Sequence, residues 1–254
     1  MRIDHCLSSN RLQISTKRRS EIEKKLVHGY DNDISVRRIL DHIDFYVLPV
    51  MNPDGYEYSR LKIGIAQNRM WRKNRRPSNC KHQRFHTGCC AGVDLNRNFD
   101  WFWSYAGSST DPCHDTYPGL KAFSEPETVA VRDYLQTNKP EHNVSSFSDH
   151  LRKKAAKALL KTYGTKYQVG TGADLLYEAS GGSHDWAKGS LQVRYAYLIE
   201  LRPKSGTTGY GFLLPEREIS ATGLETFEAI KVVAEEMVAQ FVEPSTKRRV
   251  KLSE

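Results

Sequence analysis

Two stretches of this chain put charge where an apolar run ends. In Ala91-Gly92-Val93-Asp94-Leu95-Asn96-Arg97-Asn98 the lead-in resembles the end of a buried strand, yet it delivers an arginine between two asparagines. That arginine is either a solvated loop charge or the fixed half of a carboxylate clamp, since a planar guanidinium offers two parallel donors to a carboxylate. The second stretch, Val193 to Leu201, mixes small, aromatic and aliphatic residues and predicts a buried strand ending on Glu200. A carboxylate there is a surface group at a strand end, a paired group, or a general base poised in a cleft. Between the two, Tyr177-Glu178-Ala179-Ser180-Gly181-Gly182-Ser183 is a glycine-hinged loop carrying an aromatic ring, the composition of a lid.

Elements able to position these residues are legible along the chain. Ile22, Leu26 and Tyr30 fall at helical spacing, and Val36, Ile39, Leu40 and Ile43 continue an apolar face. Phe45 to Val50 is a short β-rich run stopped by Asn52-Pro53-Asp54-Gly55. Ser124-Glu125-Pro126-Glu127 predicts a helix capped by Ser124 and running to about Gln136. Arg152 to Tyr163 predicts a helix closed by Gly164, and a last helix runs from about Ala221 to Phe241. Strands alternating with helices indicate an α/β fold, with a mixed central sheet, Phe45 to Val50 near its centre, and helices on both faces. Residues 1–20 are polar, basic and aperiodic and predict a disordered or misplaced leader, 21–242 one domain, and 243–254 a charged tail.

The net charge of +8 is local, concentrated in Lys17-Arg18-Arg19, Trp71 to Arg76 and Lys247-Arg248-Arg249. Such runs permit an anionic partner, and a basic surface binding nucleic acid or heparin-like polymers would show a steep salt dependence. No zinc-finger spacing, aromatic sheet motif or recognition-helix pattern supports nucleic acid, which is therefore set aside. No stretch approaches the roughly 20 apolar residues of a membrane span. Four of the five cysteines, Cys80, Cys89, Cys90 and Cys113, share a polar stretch with no Cys-x-x-Cys pair, which favours disulfides over a metal knuckle. Cys6 is left over. Disulfides imply an oxidising compartment, although Met1 to Arg11 has no apolar run long enough for a signal peptide.

Taken together, Pro49 to Tyr56, Met70-Trp71-Arg72-Lys73, Asp94 to Asn98, Ser124 to Glu127, Ser180 to Trp186 and Glu200-Leu201-Arg202 resemble, in order, the motifs of the zinc carboxypeptidases of the pancreatic A and B type. The resemblance covers residues 22–241. It implies that Asn96 and Arg97 hold the free C-terminal carboxylate of a peptide, which makes an exopeptidase. It implies that Arg72 polarises the scissile carbonyl and stabilises the oxyanion. Glu200 would be the general base acting on zinc-bound water, and Tyr177 the mobile tyrosine that closes over the substrate side chain. Cys90 and Cys113 match the family's disulfide, leaving Cys80 and Cys89 as an extra pair and Cys6 free. His184 falls where the family sets side-chain preference, a position apolar in A-type and acidic in B-type enzymes. A histidine fits neither, so no specificity follows. The family further implies zinc as cofactor, peptide or protein C-termini as partners, a monomer, and secretion.

Two breaks interrupt the pattern. The family's first two zinc ligands come from a His-x-x-Glu segment ahead of the helix that begins near Ile22, and none of the nine histidines here is followed three residues on by glutamate. The third ligand ends a strand that here becomes Val144 to Leu151, running directly into Arg152-Lys153-Lys154. His150 stands near the expected distance from Asn96, but Asp149-His150 is better suited to capping the following helix. These breaks predict a shortened zinc carboxypeptidase, by isoform or by gene prediction, with a gap in one wall of its cleft. The chain is then a metallocarboxypeptidase of doubtful activity or, alternatively, an inactive module that binds peptide C-termini.

Overall fold

The computed structural model describes residues 2–4, 16–61, 68–78, 90–138, 148–193, 195–202 and 214–241. In chain order its elements are β1 (Arg2–Asp4), α1 (Thr16–Asn32), α2 (Ile34–Leu40), β2 (Asp44–Tyr46), α3 (Pro53–Arg60), α4 (Pro126–Thr137), α5 (Ser148–Tyr163), α6 (Gly172–Leu175), α7 (Ser183–Gly189) and α8 (Glu218–Phe241). Short 3-10 turns occupy Asn68–Met70 and Leu95–Arg97.

Helix boundaries follow from local chemistry. Asp33, in extended conformation, separates α1 from α2 and caps α2 by accepting the Ser35 and Val36 amides at 2.9 and 3.3 Å. Asn52 caps α3 through Gly55 N at 3.0 Å, and only glycine fits at 55, because a Cβ there would lie 2.6 Å from the Lys73 carbonyl. The cap position of α4 is Glu125 rather than the expected Ser124. Pro126 pushes the residue before it into extended backbone, and the Ser124 hydroxyl turns instead to the Glu125 carboxylate at 2.7 Å. Gly164, at φ +74, ends α5 with its N–H on the Leu160 carbonyl.

α8 packs against α5, α1 and α2, and one core forms where its Ala234, Met237 and Val238 meet Ile39 and Ile43. A second core surrounds Phe99, with Trp186 and Ala187 of α7 and Leu135 of α4. There Phe99, Phe123 and Trp186 form a ring cluster with centroid separations of 5.4 to 5.6 Å. This second core lies directly beneath the segment 95–101.

The sheet departs from the sequence pattern. Among the described residues it is a parallel pair, with Arg2, Ile3 and Asp4 facing Asp44, Phe45 and Tyr46. The residues expected to be a leader thus contribute a strand and, from Thr16, the first turn of α1. A strand of three residues shows no alternation by which it could be anticipated. The run expected as a strand at Val193 to Leu201 has no ladder among the described residues. Its residues 195–199 are half-buried and are tied down by side chains: the Tyr195 and Tyr197 rings stack at 6.3 Å and Tyr195 Oη donates to Gln240 at 2.7 Å. An apolar pattern supplies the face of a strand, whereas a strand also requires a neighbouring backbone to pair with.

Candidate active site

Asp94 organises the site, and it stands in no role predicted from the sequence. It is fully buried, its Oδ1 accepts the Asn96 amide at 3.0 Å to start the turn Leu95–Arg97, and its Oδ2 receives Arg72 Nε and Nη2, both at 2.8 Å. Burial alone would lower the Arg72 pKa, but Asp94 more than offsets this and holds the guanidinium charged. Glu200 and Tyr177 also act electrostatically on Arg72, which places all three in one neighbourhood. The signal available in the sequence was an acid two residues before an asparagine at a strand end, an Asx-type turn.

Arg97 answers the choice between loop charge and clamp in part: it is 4% exposed and is not a solvated charge. Its Nε donates to Gly107 O at 2.9 Å, Nη1 to Asn96 O at 2.8 Å and Nη2 to Tyr177 Oη at 3.0 Å. Among the described residues no carboxylate lies within salt-bridge distance of it. A buried guanidinium held by neutral acceptors retains its demand for an anion.

The loop 177–183 is laced to this arginine. Gly181 has φ +72, and a Cβ there would lie 2.2 Å from the Arg97 carbonyl, so no other residue brings the two backbones so close. Ser183 N donates to Asn96 Oδ1 at 3.3 Å. Next to it, burial lowers the His184 pKa and Arg97 pushes the same way, while Asp185, 3.4 Å from Nε2, opposes. The ring therefore favours its neutral form. Tyr177 is exposed, with its hydroxyl on Arg97 and its ring centroid 5.8 Å from the Arg97 guanidinium carbon. Glu200 is likewise exposed.

The basic run Trp71 to Arg76 is largely spent inside the protein. Arg72 is on Asp94, Lys73 donates to Pro112 O at 2.6 Å, and Arg76 pairs with the buried Glu125 at 2.6 Å. Arg75 lies flat on Tyr58, 3.6 Å from the ring centroid. A run so committed offers little to a polyanion. Cys90 and Cys113 are joined in a disulfide with Cα atoms 4.7 Å apart, in agreement with the expected pairing, and it staples the loop that Lys73 grips. Cys6, Cys80 and Cys89 lie outside the described residues.

The donor set of the described residues does not fit a zinc ion. Among the described residues no group of three or more histidine, cysteine, aspartate or glutamate side chains could hold a metal. His150 is exposed near the start of α5, on the side of that helix that faces Glu236 of α8. Asp149 lies within the first turn of α5 instead of capping it, and pairs with Arg152 and Lys153 at 2.8 and 2.7 Å. Among the described residues no helix is long and apolar enough to cross a membrane.

A family model described as Zinc carboxypeptidase matches residues 14–149 and 142–229. The chain is 40% identical over 230 residues to carboxypeptidase B of Astacus astacus, spanning 80% of this chain and 70% of that protein. It is 37% identical over 241 residues to carboxypeptidase O of Homo sapiens, spanning 85% of this chain and 60% of that one. With carboxypeptidase B of Homo sapiens it shares 41% over 236 residues and spans 52% of the relative's length. Among solved structures, bovine thrombin-activatable fibrinolysis inhibitor in complex with tick carboxypeptidase inhibitor superposes with a TM-score of 0.75 at 32% identity, over 94% of this chain and 82% of that one. The carboxypeptidase A from Helicoverpa armigera superposes with a TM-score of 0.70 at 29% identity, over 91% of this chain and 60% of that one.

Proposed function

Because this chain belongs to the zinc carboxypeptidase family, we propose that it receives the free C-terminus of a peptide on Arg97, with Asn96, Tyr177, Arg72 and His184 around the terminal residue. The observation that carries this reading is the burial of Arg97 without an acidic partner among the described residues. An incoming carboxylate supplies the missing charge, and Tyr177, which is exposed, can exchange its bond to Nη2 for one to the ligand. Selection for a free terminus follows, because an amide or a continuing chain brings no charge to a site built around an unmatched cation.

Hydrolysis in this family draws on zinc. Among the described residues no metal site is assembled, so no hydrolytic step is derived, and Glu200 and Arg72 stand as the groups that would face the scissile carbonyl once a metal is held. The working reading is a carboxypeptidase-family chain that by itself binds C-termini without cleaving them. The Cys90–Cys113 disulfide supports an exported protein.

The test compares turnover with binding in the same preparation. With zinc added, release from peptides ending in phenylalanine, leucine, lysine or arginine is expected to stay at background while free-acid peptides bind. Release that a chelator abolishes would show that a ligand set exists and overturn this reading.

A further inference from the structure

Beside the Arg97 site, the segment 101–107 presents aromatic rings to solvent from a backbone that resists doing so. Phe102 and Ser104 have φ values of 48 and 61, a region that side chains other than glycine occupy only at a cost. Phe102 is 65% exposed and Tyr105 82%. The rings form a ladder out of the second core: Trp101 covers Gly189, where a Cβ would meet its ring at 2.2 Å, Phe102 stands edge-on to Trp101 at 5.1 Å, and Tyr105 tilts against Phe102 at 6.4 Å. Scattered exposed rings call for no explanation, but neighbouring rings displayed on costly backbone do.

The conformation is imposed by the loop 177–183. Ser180 Oγ accepts the Tyr105 and Ala106 amides at 3.1 and 3.0 Å, Ser180 N donates to Ala106 O, and Gly181 N to Trp101 O. The same segment ends in Gly107, whose carbonyl holds Arg97 Nε at 2.9 Å. Tyr105 is two residues from Gly107, whose carbonyl holds Nε at 2.9 Å, so its Cα lies within about 13 Å of the guanidinium. Tyr105, with Phe102 packed against it, therefore stands on the segment that borders the Arg97 seat through Gly107.

We propose that Phe102 and Tyr105 form an accessory binding surface for the peptide upstream of its C-terminal residue, favouring apolar or aromatic side chains two to four positions before the end. This rests on Arg97 as the carboxylate seat. The strain at Phe102 and Ser104 is retained because relaxing it would turn the rings away from that path.

The experiment uses the 254-residue chain and a Phe102→Ser/Tyr105→Ser double variant, with two calorimetric ligands that share a C-terminal phenylalanine. One is an acetylated dipeptide and the other an octapeptide with leucine and tryptophan three and four positions before the end. The native chain is expected to bind the octapeptide about tenfold more tightly than the dipeptide, the order expected for partial ring burial. In the double variant that advantage disappears, dipeptide affinity is unchanged, and the thermal midpoint holds because both rings are exposed. An octapeptide advantage that survives the double substitution, or an equal loss for both ligands, overturns the proposal. Amidated versions of both peptides separate the two readings. If amides bind as well as acids, the Arg97 seat fails, whatever the rings do. If no peptide binds, both fail.

Discussion

Replacing Arg97 perturbs binding and folding by amounts that can be worked out separately. In a carboxylate complex its fork would give two charge-assisted hydrogen bonds, each contributing about 1.5–3 kcal/mol. Losing both in Arg97→Ala weakens binding of a free-acid peptide by about 3–5 kcal/mol, roughly a hundredfold to a few thousandfold. Arg97→Lys keeps the charge but not the planar fork, and should fall roughly tenfold short of the native chain. The folding cost is of comparable size. The substitution strands the Gly107 and Asn96 carbonyls, which now accept Nε and Nη1 at 2.9 and 2.8 Å, for about 1–3 kcal/mol each. Isothermal titration calorimetry of a free-acid peptide against both variants, with urea unfolding alongside, resolves the two effects. If Arg97→Ala stays folded and binds the free acid as tightly as the native chain, the assignment of Arg97 as the anion seat is wrong.

Other predictions address the frame around the site. Lys231, with help from Ser35, holds the Asp33 carboxyl well below the usual carboxylate range. Its folded pKa is depressed, so its contribution is present above about pH 4, the unfolded value, and is lost as pH falls toward the folded one. Because the carboxylate is 41% exposed, that contribution is at most about 1 kcal/mol, and Lys231→Met should lower urea stability at pH 7 and by progressively less as pH falls below about 4. Asn98, fully buried, has its amide nitrogen 2.8 Å from Pro118 O and 3.0 Å from Lys121 O, and its Oδ1 accepts Thr128 Oγ1 at 2.7 Å. Asn98→Ala should therefore cost about 3–5 kcal/mol, visible as a large fall in the thermal midpoint, and a fall of under a few degrees would contradict that network. Ser104→Gly should raise stability by about 1 kcal/mol by relieving φ +61, and a loss of stability in urea unfolding would mean the backbone there is not strained.

Helices were largely legible in the sequence because their signals are local. Gly164 closes α5 and Ile39 and Ile43 find α8 as their spacing predicts, whereas Asn52-Pro53-Asp54-Gly55, expected as a turn, starts α3 because Asn52 caps it. The strand near Glu200 was not, since pairing is a property of two segments and the apolar run at 193–201 specifies only one. At the site, chemistry-bearing residue types could be named from their order along the chain. Their neighbourhood depends on Asp94, whose two oxygens join the turn Leu95–Arg97 to Arg72, a link between positions 22 residues apart that no local pattern encodes. Gly181 was readable as a hinge, while its actual constraint, contact with the Arg97 carbonyl, is visible only once the two loops meet.

The central claim is tested most directly by calorimetric titration of the unmodified chain, in excess chelator, with one octapeptide prepared both as free acid and as C-terminal amide. Saturable one-to-one binding of the acid, at least tenfold tighter than the amide and unchanged by removal of metal, is the predicted result. Equal affinity for the two forms, or binding of the acid that vanishes with the chelator, would contradict it.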